Sequence, residues 1–203
     1  MKKLRVMMIM FAFAAMIAGC ASASPQLYTL SPTAQPVNAK SNLTISVGPV
    51  TVPAAVDRSQ LVLSVAPHQV AVDEFNRWAS PLKTDIARVV AQNLSLILGT
   101  PYASVFPQSV SVSPSYRVTI DVMHFESIPG DSARLTAIWS VRRTADEQSQ
   151  GGSTALSEPV RDNTYAALVA AHSKMLGTMS SNIAATISTL MAGNRKENMQ
   201  DVK

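Results

Sequence analysis

The chain has 203 residues, a formal charge of +4 and a single cysteine, Cys20; 47% of its residues are hydrophobic and 15% are charged. One cysteine excludes an internal disulfide framework and a cysteine-built zinc cluster, and the length suits one domain. Three of the positive charges (Lys2, Lys3 and Arg5) crowd the extreme N-terminus, so the rest of the chain is formally +1, and no basic stripe or binding motif marks a nucleic-acid partner.

The basic start leads into an unbroken apolar run, Val6 to Ala18, too short to span a bilayer comfortably and ordered like a secretory signal. The run ends in Ile17-Ala18-Gly19-Cys20, which resembles the bacterial lipobox. In that motif the chain is cut before the cysteine, whose sulfur takes a diacylglycerol and whose new amino group is acylated. Each buried CH2 stabilises such an anchor by about 0.8 kcal/mol, so several acyl chains hold it permanently. The reading assigns residues 1–19 to a signal peptide, Cys20 to lipidation, 20–26 to a tether, 27–192 to the domain and 193–203 to a flexible tail. Ala21 after the cut, rather than Asp, favours transfer to the outer membrane of a Gram-negative cell. Ala21 to Pro25 span less than about 20 Å at roughly 3.3–3.6 Å per residue, which holds the domain near its membrane. Acylation would leave no free thiol, so cysteine catalysis is also excluded.

The first strand-like run is "QLYTL". Residues 42–52 alternate Leu43, Ile45 and Val47 with polar residues, and Gly48-Pro49 interrupts them as a bulge or edge position. Residues 60–66 and 68–72 predict two strands around Pro67. Asp73 is expected to cap a short turn through Trp78, and Ser80-Pro81 then reads as an N-cap with proline at the first helical position. Trp78, Leu82, Ile86, Val89, Val90, Asn93, Leu94, Ile97 and Leu98 share one face at helical spacing, which predicts a helix over 80–98 that Gly99 and Pro101 stop. A short strand follows at 103–107. The runs 116–127 and 133–144 alternate strictly and join through Pro129-Gly130-Asp131 as a hairpin. "ADEQSQGGS" reads as a mobile loop and 153–160 as a further strand. A final helix from about Asn163 to Met191 carries the stripe Tyr165, Leu168, Val169, His172, Leu176, Met179, Ile183, Ile187 and Leu190. The fold class predicted is α+β: a mostly antiparallel mixed sheet with two long helices on one face, in a single domain.

No pattern carries catalysis. His68, His124 and His172 lack metal-ligand spacing, and neither H-E-x-x-H nor G-x-S-x-G occurs. His172 lies on the apolar stripe and reads as a satisfied, half-buried histidine; Met175, Met179 and Met191 read as core filling. No metal and no cofactor beyond the covalent lipid is expected, and the chain is not expected to be an enzyme.

Five stretches carry a family resemblance: "LYTL", "VGPVTVPAAVDRSQLVL" (47–63), "NRWASPLKTDIARVVAQNLSLILG" (76–99), "YRVTIDVMHFE" (116–126) and "LTAIWSV" (135–141). Their order and content resemble the ABC-type transport auxiliary lipoprotein family of PqiC-like proteins. Ser80 stands where relatives often carry an acidic residue. The resemblance implies a non-catalytic outer-membrane lipoprotein serving a transporter built on mammalian-cell-entry (MCE) proteins. Its partners would be membrane lipids through the anchor, an MCE-domain periplasmic protein and further copies in a ring. The more specific parts of the resemblance, Pro53, Asp57 and Arg58 with Arg77, Trp78 and Pro81, are the candidate partner interface. For Trp78 a core role competes with that reading, and Asp57 and Arg58 could instead pair with each other. The alternative function is a stand-alone periplasmic lipid carrier or chaperone.

Overall fold

The computed structural model describes residues 24–38, 40–107 and 113–200. The segment expected to be a signal peptide, 1–19, and the expected lipidation site Cys20 lie outside the described residues. Among the described residues, eight strands and two helices follow in chain order: β1 (Gln26–Tyr28), β2 (Ile45–Thr51), β3 (Gln60–Ala66), β4 (Gln69–Trp78), α1 (Leu82–Leu98), β5 (Ala103–Val105), β6 (Tyr116–Ile128), β7 (Ser132–Arg143), β8 (Ser149–Pro159) and α2 (Tyr165–Gln200). The class is α+β, as the patterning predicts. The expected sheet is divided in two, a three-stranded sheet β1-β4-β3 and a five-stranded sheet β5-β2-β6-β7-β8.

The long hairpin β6–β7 is the centre of the large sheet. Val118, Ile120 and Val122 lie opposite Val141, Trp139 and Ala137, and all six are buried. Strict alternation puts these residues on one face, where α1 lies against β2 and β5 and α2 against β7 and β8. Gly130 turns the hairpin with φ +69°, a conformation that costs a side-chain-bearing residue energy. Gly48-Pro49 forms a bulge in β2, where the register against β6 slips between Val47 and Val50. Strand β5 pairs β2 only over Ile45–Val47, so beyond the bulge Val50 and Thr51 are paired by β6 alone and the other side of β2 is open.

Three local expectations are corrected. Asp73–Trp78 is strand, not a helical turn. Asp73 does cap locally, accepting the amide N–H groups of Phe75 (2.8 Å) and Asn76 (2.9 Å), but it does so inside a bulge of β4. Parallel pairing of β1 with residues 76–78 then draws this segment into the sheet. The polar "SQGG" (149–152), expected as loop, begins the edge strand β8, which continues through the run from 153 that reads as strand. A Cβ on Gly152 would lie 2.4 Å from the Trp139 ring, so glycine is what allows the indole to lie across the strand and donate to Thr154 Oγ1 at 3.1 Å. Helix α2 runs to Gln200, past the expected end at Met191, although its buried stripe closes at Leu190.

His172 is fully buried rather than half-buried. Its ring stacks on Phe125 at 3.8 Å, Nε2 meets Ser127 Oγ at 2.9 Å, and Nδ1 has no partner among the described residues. Burial pushes its pKa down to about 3, so the ring is neutral. Met175 and Met179 fill the core beside it.

The segment after β1 has no regular structure, yet it is fixed. It crosses both helices as a strap. Buried Asp85 of α1 accepts the Leu30 N–H at 2.8 Å, and buried Asn93 accepts the N–H groups of Thr33 and Ala34 at 3.0 Å each. Ser173 of α2 accepts the Ser31 N–H at 3.1 Å. Gly177 makes room for the strap, since a Cβ there would sit 2.1 Å from Thr33 Oγ1. Backbone bonds from Val37 to Leu96 and from Ser41 to Gly99 complete the crossing. The side chains satisfy amides that no strand neighbour reaches, which buried backbone requires.

Candidate functional site: the groove at the start of the first helix

After β2 the chain makes a compact turn. The Pro53 carbonyl accepts the N–H groups of Val56 (3.0 Å) and Asp57 (3.1 Å), and Val56 packs against the core. That turn leaves Asp57 and Arg58 exposed. They do not pair with each other. Asp57 Oδ2 receives Lys83 Nζ at 3.1 Å, and Arg58 has no side-chain partner among the described residues.

Pro81, not Ser80, occupies the N-cap position of α1, and no side chain caps the helix. Pro81 has φ −53° and ψ 128°, and its carbonyl accepts Thr84 N–H (2.9 Å) and Asp85 N–H (3.0 Å). Proline lacks the amide donor and fixes φ, so it starts the helix at low cost. Its neighbour Lys83 is thereby aimed at Asp57.

The two stretches singled out in the sequence meet, because Trp78 N–H donates to the Ser59 carbonyl at 2.7 Å. Their side chains part ways. Pro53, Asp57, Arg58 and Pro81 lie at or near the surface. Trp78 is 6% exposed and meets Phe125 edge-on at 6.2 Å, so it is a core anchor rather than a surface contact. Arg77 belongs to the outer side of the small sheet, held by Glu74 through its side chain (3.1 Å) and its carbonyl (2.7 Å).

Beside Lys83 opens a groove of about 770 Å³ between the β2 bulge, the first turns of α1 and the end of β5. Pro49, Val50, Ala87, Val105 and Phe106 make its walls apolar, and among the described residues Lys83 is the one charged residue along it. Arg117 lies over the exposed Phe106 ring, 5.7 Å from its centroid. Gly48 shapes the wall, with φ +126° and space for only a tight Cβ, 3.3 Å from that of Phe106. An apolar trough with a single paired cation offers no acid–base pair. Its chemistry is that of holding an apolar chain or side chain.

Lys83 and Phe106 escape sequence reasoning. Phe106 follows a three-residue strand with no period to read, and only the fold brings it opposite α1. Among the described residues no group of three or more His, Cys, Asp or Glu side chains is placed to hold a metal ion. Among them, too, no helix is long and apolar enough to cross a membrane.

The family model described as "ABC-type transport auxiliary lipoprotein component" matches residues 26–184. The chain belongs to this family. Membership makes it a lipoprotein component of a transport system in the cell envelope. A comparison with curated proteins finds no match in sequence. Among solved structures, the chain is similar to an uncharacterised protein at TM-score 0.67 and 20% identity, covering 81% of this chain and 99% of that one. It is also similar to a DUF330-family protein from Xanthomonas campestris at TM-score 0.63 and 17% identity, covering 85% and 99%. These likenesses establish a shared fold. A fainter one, TM-score 0.37 at 11% identity over 72% of this chain and 90% of the other, is to the PelC dodecamer of Paraburkholderia phytofirmans and is too slight to bear on assembly here.

Proposed function

We propose that this auxiliary lipoprotein is a non-catalytic outer-membrane subunit of an MCE-type intermembrane lipid transporter. It docks the far end of the periplasmic conduit and supports envelope integrity. The observation that carries the reading is the apolar groove beside the 53–58 turn, whose Asp57 holds the groove residue Lys83 and whose exposed Arg58 has no side-chain partner among the described residues. Arginine and exposed aromatics such as Phe106 are the residue types that dominate protein interfaces. The lipid on Cys20 and the short tether would hold this surface close to the outer membrane, where a conduit rising from the inner membrane arrives. A conduit of rotational symmetry would be met by a ring of copies, which light scattering of the lipid-free domain tests.

The interface is tested by capture of the MCE-domain protein with wild type, Arg58→Glu and Phe106→Glu. Both variants are expected to fold and to lose capture by at least about tenfold, as removing a central contact does. Undiminished capture by both refutes the assignment. The apolar lining of the groove also supports a second reading, a lipid carrier in its own right. Mass spectrometry of the purified domain separates the two, since a carrier retains stoichiometric phospholipid.

A further inference from the structure

The outer face of the small sheet is left uncovered by every other described element. Register fixes what it carries. Leu61 and Leu63 turn toward the core, so Val62, with Val72 opposite, and Ser64, with Val70 opposite, turn outward. Leu27, opposite Arg77, joins the same side, while Tyr28 and Trp78 turn inward. Register places exposed Leu27 (63%), Val70 (56%) and Val72 (37%) on this face, and exposed Val65 (50%) and Phe75 (51%) lie at the two irregular positions of the β3–β4 pairing. Scattered apolar residues are ordinary on a surface; five on one small sheet and its hairpin are not. The polar members neutralise one another in place, Arg77 and Gln60 both reaching Glu74 Oε2, at 3.1 and 3.2 Å. The charges on the sheet itself are thus paired, which leaves apolar surface that suits a lipid interface; beside the hairpin, residues 64–68 share a cleft with Glu126, Asp131 and Arg134, whose guanidinium lies 3.8 and 3.9 Å from the two carboxylates.

We propose that this face, with Phe75 and the β3–β4 hairpin at its centre, is a second membrane contact that lies in the headgroup region beside the lipid anchor. The proposal rests on Cys20 being acylated. Its occupant follows from chain length: Gln26, which begins β1, is six residues beyond Cys20, within roughly 25 Å of it when fully extended. Strand β1 is itself the edge of this sheet, so no other sheet face is tied so closely to the lipid. Valines and one aromatic ring on a neutral face are what partitions shallowly into an interface. The contact would fix the orientation of the domain, which a lipid tether alone leaves free.

The test uses the mature acylated protein, in which an introduced cysteine is the only free thiol. Cysteine is placed at Val70, Phe75 or Tyr102 and labelled with an environment-sensitive fluorophore. Tyr102 is the control, exposed beyond the far end of α1, about 25 Å from the Trp78 end at 1.5 Å per residue. Vesicles are phosphatidylethanolamine with a minority of phosphatidylglycerol, doped with lipid carrying a nitroxide near the headgroup. Labels at 70 and 75 are expected to shift blue and lose fluorescence to the nitroxide, while the label at 102 does neither. Labels at 70 and 75 as unquenched as at 102, on protein that floats with the vesicles, overturn the proposal. Efficient crosslinking between copies through position 70 also overturns it, by naming a second copy as the occupant. Protein that fails to float overturns the acylation itself, a separate and recognisable failure.

Discussion

Replacing Asp85 by alanine removes the hub that binds the strap to α1. The carboxylate is 2% exposed and accepts from the Leu30 N–H at 2.8 Å and from Arg88 Nε at 2.9 Å and Arg88 Nη2 at 2.5 Å. Arg88 is more than a third exposed and can turn to water, so losing that pair costs no more than about 1 kcal/mol. The Leu30 amide has no such escape. Left without an acceptor in a buried site, it costs about 1–3 kcal/mol. Leu30 itself is 1% exposed, and any loosening of the strap draws on the roughly 1.5–3 kcal/mol that burying a leucine contributes. The expected total for Asp85→Ala is about 3 kcal/mol, or a fall in Tm of about 6–12 °C for a domain of this size. Asp85→Asn keeps an acceptor for Leu30 and should lose only about 1 kcal/mol. Urea denaturation of the domain lacking signal and lipid measures both, and hydrogen exchange should show the Leu30 amide losing protection in the alanine variant alone. Asp85→Ala within 0.5 kcal/mol of wild type, or Asp85→Asn as damaging as alanine, would refute the reasoning, the threshold being roughly the scatter of a neutral substitution.

Gly177→Val forces a side chain into the space of Thr33 and is expected to destabilise the domain by about 1–3 kcal/mol, as overpacking does; recovery with Thr33→Gly in the same chain checks the contact. Gly152→Val should displace the Trp139 indole, visible as a red shift in its emission and a lower urea midpoint. The hydrogen bond from Tyr165, followed by those from the Phe75 and Asn76 amides, lowers the Asp73 pKa from its ordinary 3.8 to about 2. A depressed carboxylate stabilises fully above its unfolded pKa and less as pH falls through the folded one, so wild type should lose stability relative to Asp73→Asn between about pH 4 and pH 2. Parallel acid-denaturation curves for the two proteins would show that the bond contributes nothing.

Elements whose order depends on their own neighbours are readable in the chain. The alternation of Val118, Ile120 and Val122 against Leu135, Ala137 and Trp139 gives β6–β7, and the stripe from Leu82 to Leu98 with left-handed Gly99 gives α1. Elements ordered by distant partners are not. The first residues of β8, 149–152, read as a loop because their glycines serve an indole on another strand, while 153–160 reads correctly as strand; residues 73–78 read as a turn because the β1 pairing that draws 76–78 into the sheet lies about fifty positions away. The strap has no period at all, since Asp85, Asn93 and Ser173 supply its acceptors from elsewhere in the chain. Of the candidate surface residues, Pro53, Asp57, Arg58 and Pro81 gather near the start of α1. Trp78 does not, because an aromatic residue before a helix suits a core and an interface equally until the fold chooses. The groove depends on Phe106 meeting α1, a contact with no local trace.

The strap also orders events in time. Ser31 and Ser173 are separated by 142 positions, and the seat for Thr33 is a glycine further along still, at 177. The residues of the strap, among the first to leave the ribosome, therefore cannot reach their final place until almost the whole chain exists. Contacts of such long range close last, since the intervening loop must be confined first. On the proposed lipidation of Cys20, a chain that crosses one membrane unfolded and receives its lipid before it settles would benefit from this arrangement, because the part nearest Cys20 would stay accessible to processing enzymes while the last helix is still missing.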